Sequence, residues 1–325
     1  MLPKLVVSYN VSPAEREAYQ EILGELASLS YVEELSPSEK KPALQQAEIL
    51  ISWGLPRETV ADMKNLHFWQ SLAAGVENLP FDALPTSVLV AANVGAYAEP
   101  MAEHILALAL ALAKRLRPSQ LSMKNKAVNQ VPGGNLMLRG GIAAILGFGG
   151  IGQETARLLR ALGMKIYAVN RSGKTDQPVE FIGTLDNDLE QVLRAAQLIV
   201  ITLPHTLRTE GLIGAGELGW MRDDAILINV ARGPIIQEAA LYDHLVSHPK
   251  FTAGLDVWWG DPFSGEPLTL KYPFLDLPNV IGTPYTSAIV GDSLVVAARR
   301  AAENVRRYLE GETPHGLVRR DDYLG

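Results

Sequence analysis

The stretch Gly140-Gly-Ile-Ala-Ala-Ile-Leu-Gly-Phe-Gly-Gly-Ile-Gly152 decides how this chain is read. Ile142–Leu146 is an apolar strand that runs into Gly147-x-Gly149-x-x-Gly152. Helical spacing follows over Ile151–Leu162, with Gly163 as the stop and a second strand at Lys165–Val169. A strand, a glycine turn and a helix in that order suit a dinucleotide pyrophosphate. The first glycine permits the tight turn, the second lets the backbone approach the phosphates, and the third lets helix and strand pack closely. The helix N-terminus adds unpaired N–H groups and a positive dipole end. Gly147, Phe148, Gly149, Gly150, Ile151 and Gly152 are therefore the expected cradle. The bland alternative is a glycine-rich turn with no ligand.

The end of the second strand bears on which dinucleotide. An NAD site usually carries Asp or Glu there, for the ribose 2′-hydroxyl. This chain has Asn170, followed by Arg171, Ser172 and Lys174. A carboxylate would repel a 2′-phosphate, whereas a guanidinium and a hydroxyl can hydrogen-bond it. The expectation is NADP(H), with NAD(H) left open and a plain solvated loop as the alternative.

Bulk properties narrow the class. The chain has 325 residues, enough for two ordinary domains, with 47% hydrophobic and 20% charged residues. That is a globular composition. The net charge of −7 and the lack of a basic run argue against a nucleic-acid partner. Without cysteine there is no disulfide, thiolate metal site or cysteine nucleophile. No metal site is visible otherwise. The first residues lack the apolar core of a signal peptide, and the most apolar run, Ile105–Ala113, is too short to span a bilayer. The expectation is a cytoplasmic protein with no membrane partner.

Strand and helix patterns alternate along the chain. Strands are expected at Lys4–Ser8, Ala47–Ser52, Phe68–Leu72, Ser87–Ala91, Leu198–Leu203, Ala225–Val230, Thr252–Val257 and Val280–Ile281. Helices are expected at Pro13–Leu29, Pro100–Leu116 and Leu294–Leu309, the last stopping at Gly311. The fold class is α/β with mainly parallel sheets. The helix Pro100–Leu116 is apolar around most of its circumference, more than one face can bury, which suggests a homodimer interface.

Several segments together resemble the D-isomer-specific 2-hydroxyacid dehydrogenases, which include glyoxylate/hydroxypyruvate reductases. They are Ser71-Leu-Ala-Ala-Gly-Val-Glu-Asn-Leu79, Met101-Ala-Glu-His104, the glycine turn, Leu203-Pro-His-Thr206 with Thr209-Glu-Gly-Leu-Ile213, Ile228-Asn-Val-Ala-Arg-Gly233, Ala253-Gly-Leu-Asp-Val257, Glu266-Pro-Leu268 and Leu277-Pro-Asn-Val280. The resemblance implies two domains with the active site in the cleft between them. One is a flavodoxin-like substrate domain of residues 1–97 plus 289–325. The other is a Rossmann, doubly wound dinucleotide-binding domain of residues 98–288. It also implies a homodimer and hydride transfer between nicotinamide and a 2-oxo acid/D-2-hydroxy acid pair.

The same resemblance suggests roles for single residues. Arg232 follows a strand at its C-terminal edge, where ligands sit in open α/β sheets, and can clamp a carboxylate and polarise a carbonyl. The N–H groups of Ala74 and Gly75 resemble a second carboxylate clamp. Leu203, Pro204 and Ala231 fall at the cofactor, and Asp256 matches the residue on the nicotinamide side. Loops around Trp53, Tyr97 and Trp258 would read the substrate side chain. Trp258 and Trp259 are open to a packing role as well. The partner carboxylate is expected five residues after Asp256, which is Asp261. Glu266, in Glu266-Pro-Leu268, is the better local match and is preferred.

One position departs from the pattern. Where the family has its proton-donating histidine, this chain reads Gly282-Thr283-Pro284-Tyr285. The unperturbed acids differ by about 3.5 pH units, roughly 5 kcal/mol. Tyr285 is open to three readings: a working acid, a substrate ligand with water as the proton source, or a mark of weak catalysis. The last would make the chain an NADP(H)-binding, corepressor- or sensor-like protein. His205 is the one other histidine suited to rescue; His67, His104, His244, His248 and His315 read as surface or packing residues. Retention of Gly75 and Arg232 favours the enzyme.

Overall fold

The computed structural model describes residues 2–127, 134–260, 268 and 270–324. The chain divides into two compact units, one of Met1–Tyr97 with Val290–Gly325 and one of Ala98–Ile289. The first unit begins with β1 (Lys4–Val7), α1 (Pro13–Leu23), β2 (Ser28–Tyr31) and α2 (Pro37–Gln46). It continues with β3 (Ile49–Ser52), α3 (Arg57–Asp62), β4 (Phe68–Ser71) and β5 (Leu89–Ala91). Its sheet runs β2-β1-β3-β4-β5, all parallel, which is the flavodoxin-like order.

The expected helix Pro13–Leu29 is two elements. A capping box starts α1: the Ser12 hydroxyl accepts from Glu15 N, and the Glu15 carboxylate accepts from Ser12 N. The helix ends at its cap Gly24, and Ser28–Tyr31 pairs with Lys4–Val7 as an edge strand. Leu26 and Leu29 continue the helical spacing past the turn, so periodicity could not show the break.

The second unit opens with α4 (Ala98–Ala113) and α5 (Leu116–Lys124). Then come β6 (Ile142–Leu146), α6 (Gly150–Ala161), β7 (Lys165–Val169), β8 (Phe181–Gly183), α7 (Leu185–Ala195), β9 (Leu198–Ile201) and α8 (Ala215–Trp220). It closes with β10 (Ile226–Asn229), α9 (Glu238–Ser247), β11 (Thr252–Leu255) and β12 (Val280–Gly282). The parallel sheet has the order β12-β11-β10-β9-β6-β7-β8. Chain direction across the sheet reverses between β6 and β9, the switch point at which doubly wound folds bind ligands. The four-residue strands β9, β10 and β11 are buried throughout, as a sheet covered on both faces requires.

The expected helix Pro100–Leu116 also differs. It starts two residues earlier, with Pro100 in the first turn, where a missing N–H costs nothing. It stops at Ala113, and Arg115 takes a left-handed backbone (φ 50°) before α5 begins. Met101, Ile105, Leu108 and Leu112 of α4 are buried, while Leu116, Leu121 and Met123 around α5 are exposed. The last helix, α10 (Ser293–Leu309), packs on α1 in the first unit; Ala298, Ala301, Ala302 and Val305 join Leu5, Tyr19 and Phe68 in one apolar cluster. Paired main-chain bonds close both α6 and α10: Gly163 N to Arg160 O with Met164 N to Leu159 O, and Gly311 N to Tyr308 O with Glu312 N to Arg307 O. No helix among the described residues is long and apolar enough to cross a membrane.

At the end of α9, His244 stacks on His248 and meets Phe251 edge-on, and its Nε2 is enclosed without a partner among the described residues. Burial, and then the neighbouring His248, push the imidazole down to about 4. The unfolded chain therefore binds the extra proton first. This contribution to stability is complete above about pH 6.5 and is lost as pH falls toward 4. His244→Gln is expected to lose less stability than the parent between pH 7 and pH 4. The difference is about 1 kcal/mol after allowing for partial exposure, read from urea unfolding at the two pH values.

Candidate active site

The glycine turn sits at the switch point. Gly147 follows β6 with φ +99°, and a Cβ there would lie 2.7 Å from the carbonyl of Thr202. The turn is thus packed against the end of β9: Thr202 N donates to Leu146 O (2.8 Å) and Thr202 Oγ1 to Gly147 O (2.6 Å). A Cβ at Gly152 would run into the Gly147 carbonyl oxygen. At Gly149, in contrast, nothing lies within 4 Å of a Cβ, and the residue is exposed at the cap of α6. The residues present therefore fit a pyrophosphate: two glycines bring the turn together, and the third leaves its face open. Phe148 has a buried side chain, so what it offers a ligand is main chain, whereas Gly150 and Ile151 are half-buried on the first turn of α6.

Asn170 follows β7 and spends its side chain on its own loop. Its Oδ1 accepts from Ser172 N (3.1 Å) and Gly173 N (2.7 Å), and its Nδ2 donates to Lys174 O (2.8 Å). The loop is held by the amide, with Arg171, Ser172 and Lys174 exposed on it. Leu203 is buried beside Gly147, Pro204 is exposed, and Thr209 Oγ1 ties the following loop to Pro204 O (2.7 Å). His205 is half-buried in that loop, its Nε2 enclosed with no partner among the described residues.

The strands β10, β11 and β12 bring the remaining residues of this unit together. Asn229, the last residue of β10, stitches the turn after it: Oδ1 accepts from Ala231 N (3.0 Å), and Nδ2 donates to Arg232 O (2.9 Å). Arg232 is half-buried, and its NH1 donates to Ala231 O (2.7 Å). Asp256, the residue after β11, is buried, with Oδ1 accepting from Thr283 Oγ1 (2.6 Å) and Thr286 N (2.9 Å) and Oδ2 from Ser287 N (3.0 Å). Tyr285 N donates to Asp256 O (2.9 Å). One residue thus holds the whole 283–287 segment.

Tyr285 adopts a left-handed backbone (φ 56°) and turns its hydroxyl onto the main chain of Trp258. The hydroxyl donates to Trp258 O and accepts from Trp258 N, each at 2.8 Å. Its proton is directed to a carbonyl of the protein. Trp258 is buried, with its indole N–H on Thr283 O (3.0 Å), and Trp259 stacks on Phe274 at 5.1 Å. Both tryptophans brace the core here.

In the first unit, Ala74 and Gly75 follow β4 half-buried, and their N–H groups donate to nothing among the described residues. Tyr97 is buried with its hydroxyl on Leu72 O (3.0 Å), while Trp53 is exposed, edge-on to Tyr9. Glu266 and Asp261, the two candidates for the partner carboxylate, lie outside the described residues. One residue set aside in the sequence lies against this segment: His104 of α4 reaches Thr283, its Nε2 3.0 Å from the hydroxyl. Its signal was its place in the matched segment Met101-Ala-Glu-His104.

Residues 106–287 match the D-isomer specific 2-hydroxyacid dehydrogenase, NAD binding domain. The chain is 30% identical over 294 residues to the hydroxypyruvate reductase of Thermotoga maritima, covering 89% of this chain and 92% of that one. It is 31% identical over 255 residues to the D-3-phosphoglycerate dehydrogenase of Archaeoglobus fulgidus, covering 78% of this chain but only 47% of that longer relative. The D-isomer specific 2-hydroxyacid dehydrogenase from Xanthobacter autotrophicus Py2, solved in complex with NADPH and MES, superposes with a TM-score of 0.82 at 25% identity, covering 99% of this chain and 100% of that one. This chain belongs to the D-isomer specific 2-hydroxyacid dehydrogenase family. The reaction class of that family is nicotinamide-dependent oxidoreduction between a 2-oxo acid and a 2-hydroxy acid.

The Tyr285–Trp258 crosslink gives a measurable expectation. Tyr285→Phe strands the N–H and C=O of a buried residue, which costs about 2 kcal/mol. The unfolding midpoint is expected to fall accordingly, while binding of the nicotinamide cofactor persists.

Proposed function

We propose that the protein is an NADP(H)-dependent 2-oxo acid reductase in which Arg232 holds the substrate carboxylate and polarises the carbonyl. The observation that carries this reading is the turn at the end of β10. Asn229 fixes both sides of Ala231-Arg232 and sets a guanidinium at the carboxyl edge of the sheet, next to the strand bearing Asp256. Ala74 and Gly75 are the proposed N–H contacts for the carboxylate in the first unit.

The cofactor, when bound, exchanges a hydride with the substrate carbon. Gly147, Phe148, Gly149, Gly150, Ile151 and Gly152 would hold its pyrophosphate through main-chain N–H groups, with Leu203, Pro204 and Ala231 lining the same edge. Arg171 and Ser172, on the loop organised by Asn170, would hold a 2′-phosphate. Asp256 would face the nicotinamide. The NADPH carried by the Xanthobacter autotrophicus structure supports the same preference.

For the proton, the bonds of Tyr285 to Trp258 favour water as the source, with Tyr285 securing the loop. Glu266 is the proposed neighbouring carboxylate. The exposed apolar residues around α5 support a homodimer, for which light scattering should give twice 35.3 kDa. A cysteine-free chain suits a cytoplasmic enzyme.

The test is consumption of NADPH against NADH with glyoxylate, hydroxypyruvate and pyruvate. Arg232→Ala is expected to lower kcat/KM by roughly 10²–10³ while the cofactor still binds. Arg171→Ala is expected to weaken NADPH about tenfold and leave NADH unchanged. Tyr285→Phe is expected to keep kcat within about tenfold of the parent; a general acid would cost 10²–10⁴. Full turnover by Arg232→Ala would refute the substrate clamp.

A further inference from the structure

Behind the Thr283 hydroxyl that binds Asp256 stands a histidine with no part in the proposed reaction. His104 Nε2 lies 3.0 Å from Thr283 Oγ1 and 3.8 Å from Asp256 Oδ1. A threonine hydroxyl has one proton, and that of Thr283 is donated to Asp256 at 2.6 Å. The ring must therefore be the donor in the His104–Thr283 bond, which fixes the tautomer with its proton on Nε2. The chain runs one way, from His104 through Thr283 to Asp256. The Asp256 side chain is 2% exposed and that of His104 is 21% exposed.

Packing sets this distance. His104, Leu108 and Leu112 form one stripe of α4, four residues apart. Gly254 and Asp256 are two apart at the end of β11 and face the same side. A Cβ at Gly254 would lie 3.3 Å from side-chain atoms of both Leu108 and Leu112, tighter than ordinary contact. Glycine thus lets the two leucines rest on the strand, and one turn earlier the same stripe brings His104 to Thr283 and Asp256. On Asp256, Oδ2 accepts among the described residues only from Ser287 N and keeps acceptor capacity for a further amide N–H.

We propose that His104 is a positioning residue for hydride transfer: through the Thr283 hydroxyl it holds the Asp256 carboxylate, and with it the 283–287 loop, in the orientation that meets the nicotinamide carboxamide. The proposal rests on the reading that Asp256 faces the nicotinamide. It predicts that the nicotinamide end of the cofactor, and not the adenine end, depends on His104.

The experiment compares the parent, His104→Leu, His104→Gln, Thr283→Val and the His104→Leu/Thr283→Val double variant. The ligands are whichever of NADPH and NADH the parent binds more tightly and its nicotinamide-free fragment, 2′,5′-ADP or ADP-ribose. Dissociation constants and unfolding midpoints are measured for all five proteins, with kcat and KM for glyoxylate. His104→Leu is expected to weaken the intact cofactor about fivefold, lower kcat about tenfold and leave the fragment within twofold. His104→Gln, which keeps a donor, is expected to recover most of both losses. The double variant should be no worse than Thr283→Val, because both changes break one chain.

Equal weakening of fragment and intact cofactor would overturn the proposal, since the role would then be general stability. So would independent, multiplying losses in the double variant, or an unchanged His104→Leu. If the parent reduces no 2-oxo acid, the reaction reading fails by itself, and the comparison of intact cofactor with fragment still decides the role of His104.

Discussion

A buried carboxylate has to be satisfied, and much of the second unit's reactive edge follows from how Asp256 meets that need. Its three hydrogen-bond donors among the described residues, Thr283 Oγ1, Thr286 N and Ser287 N, come from one short segment. Fixing them fixes the path of the chain between β12 and the end of the unit, including the left-handed backbone at Tyr285. A tyrosine in that conformation costs of order 1 kcal/mol and persists only where its surroundings hold it. Here they do so twice, through Asp256 O on the main chain and Trp258 on the hydroxyl.

The two ends of a dinucleotide site are separated by the strand order itself. Loops after β7 and β6 carry Asn170–Lys174 and the glycine turn; loops after β10, β11 and β12 carry Arg232, Asp256 and Tyr285. The reversal between β6 and β9 opens the crevice between these groups. Three of these loops are held by a side-chain amide or carboxylate: Asn170 holds the loop after β7, Asn229 the one after β10, and Asp256 the one after β12. Short polar side chains that bond their own turn are well suited to holding ligand-facing loops in place.

The tyrosine at the position of the family's histidine is bound on both sides of its hydroxyl. As a residue type, tyrosine is a weak acid that could still donate a proton. In place, both the donor and an acceptor site of its hydroxyl are taken by Trp258. The position has become a crosslink between two loops, and a group already bonded to a carbonyl gains little by giving its proton elsewhere.

Much was legible in the sequence because it depends on local rules. The glycine turn and its flanking strand and helix, the stops at Gly163 and Gly311, and the apolar strands of the second sheet follow from spacing and turn chemistry. Local rules failed where periodicity continues across a break, as at Leu26 and Leu29, and where an edge strand of three residues, Phe181–Gly183, carries too little pattern to see. The family was legible in the order of several motifs, and the roles proposed for Arg232 and Asp256 rest on that order. What only the tertiary structure decided are contacts between residues far apart in the chain. His104 meets Thr283 across 179 positions because Gly254 lets α4 settle on β11, and the Tyr285 hydroxyl finds Trp258 because Asp256 curls the loop. Spacing along one segment encodes turns and faces, but the partner of a polar group is set by whatever packing brings within 3 Å of it.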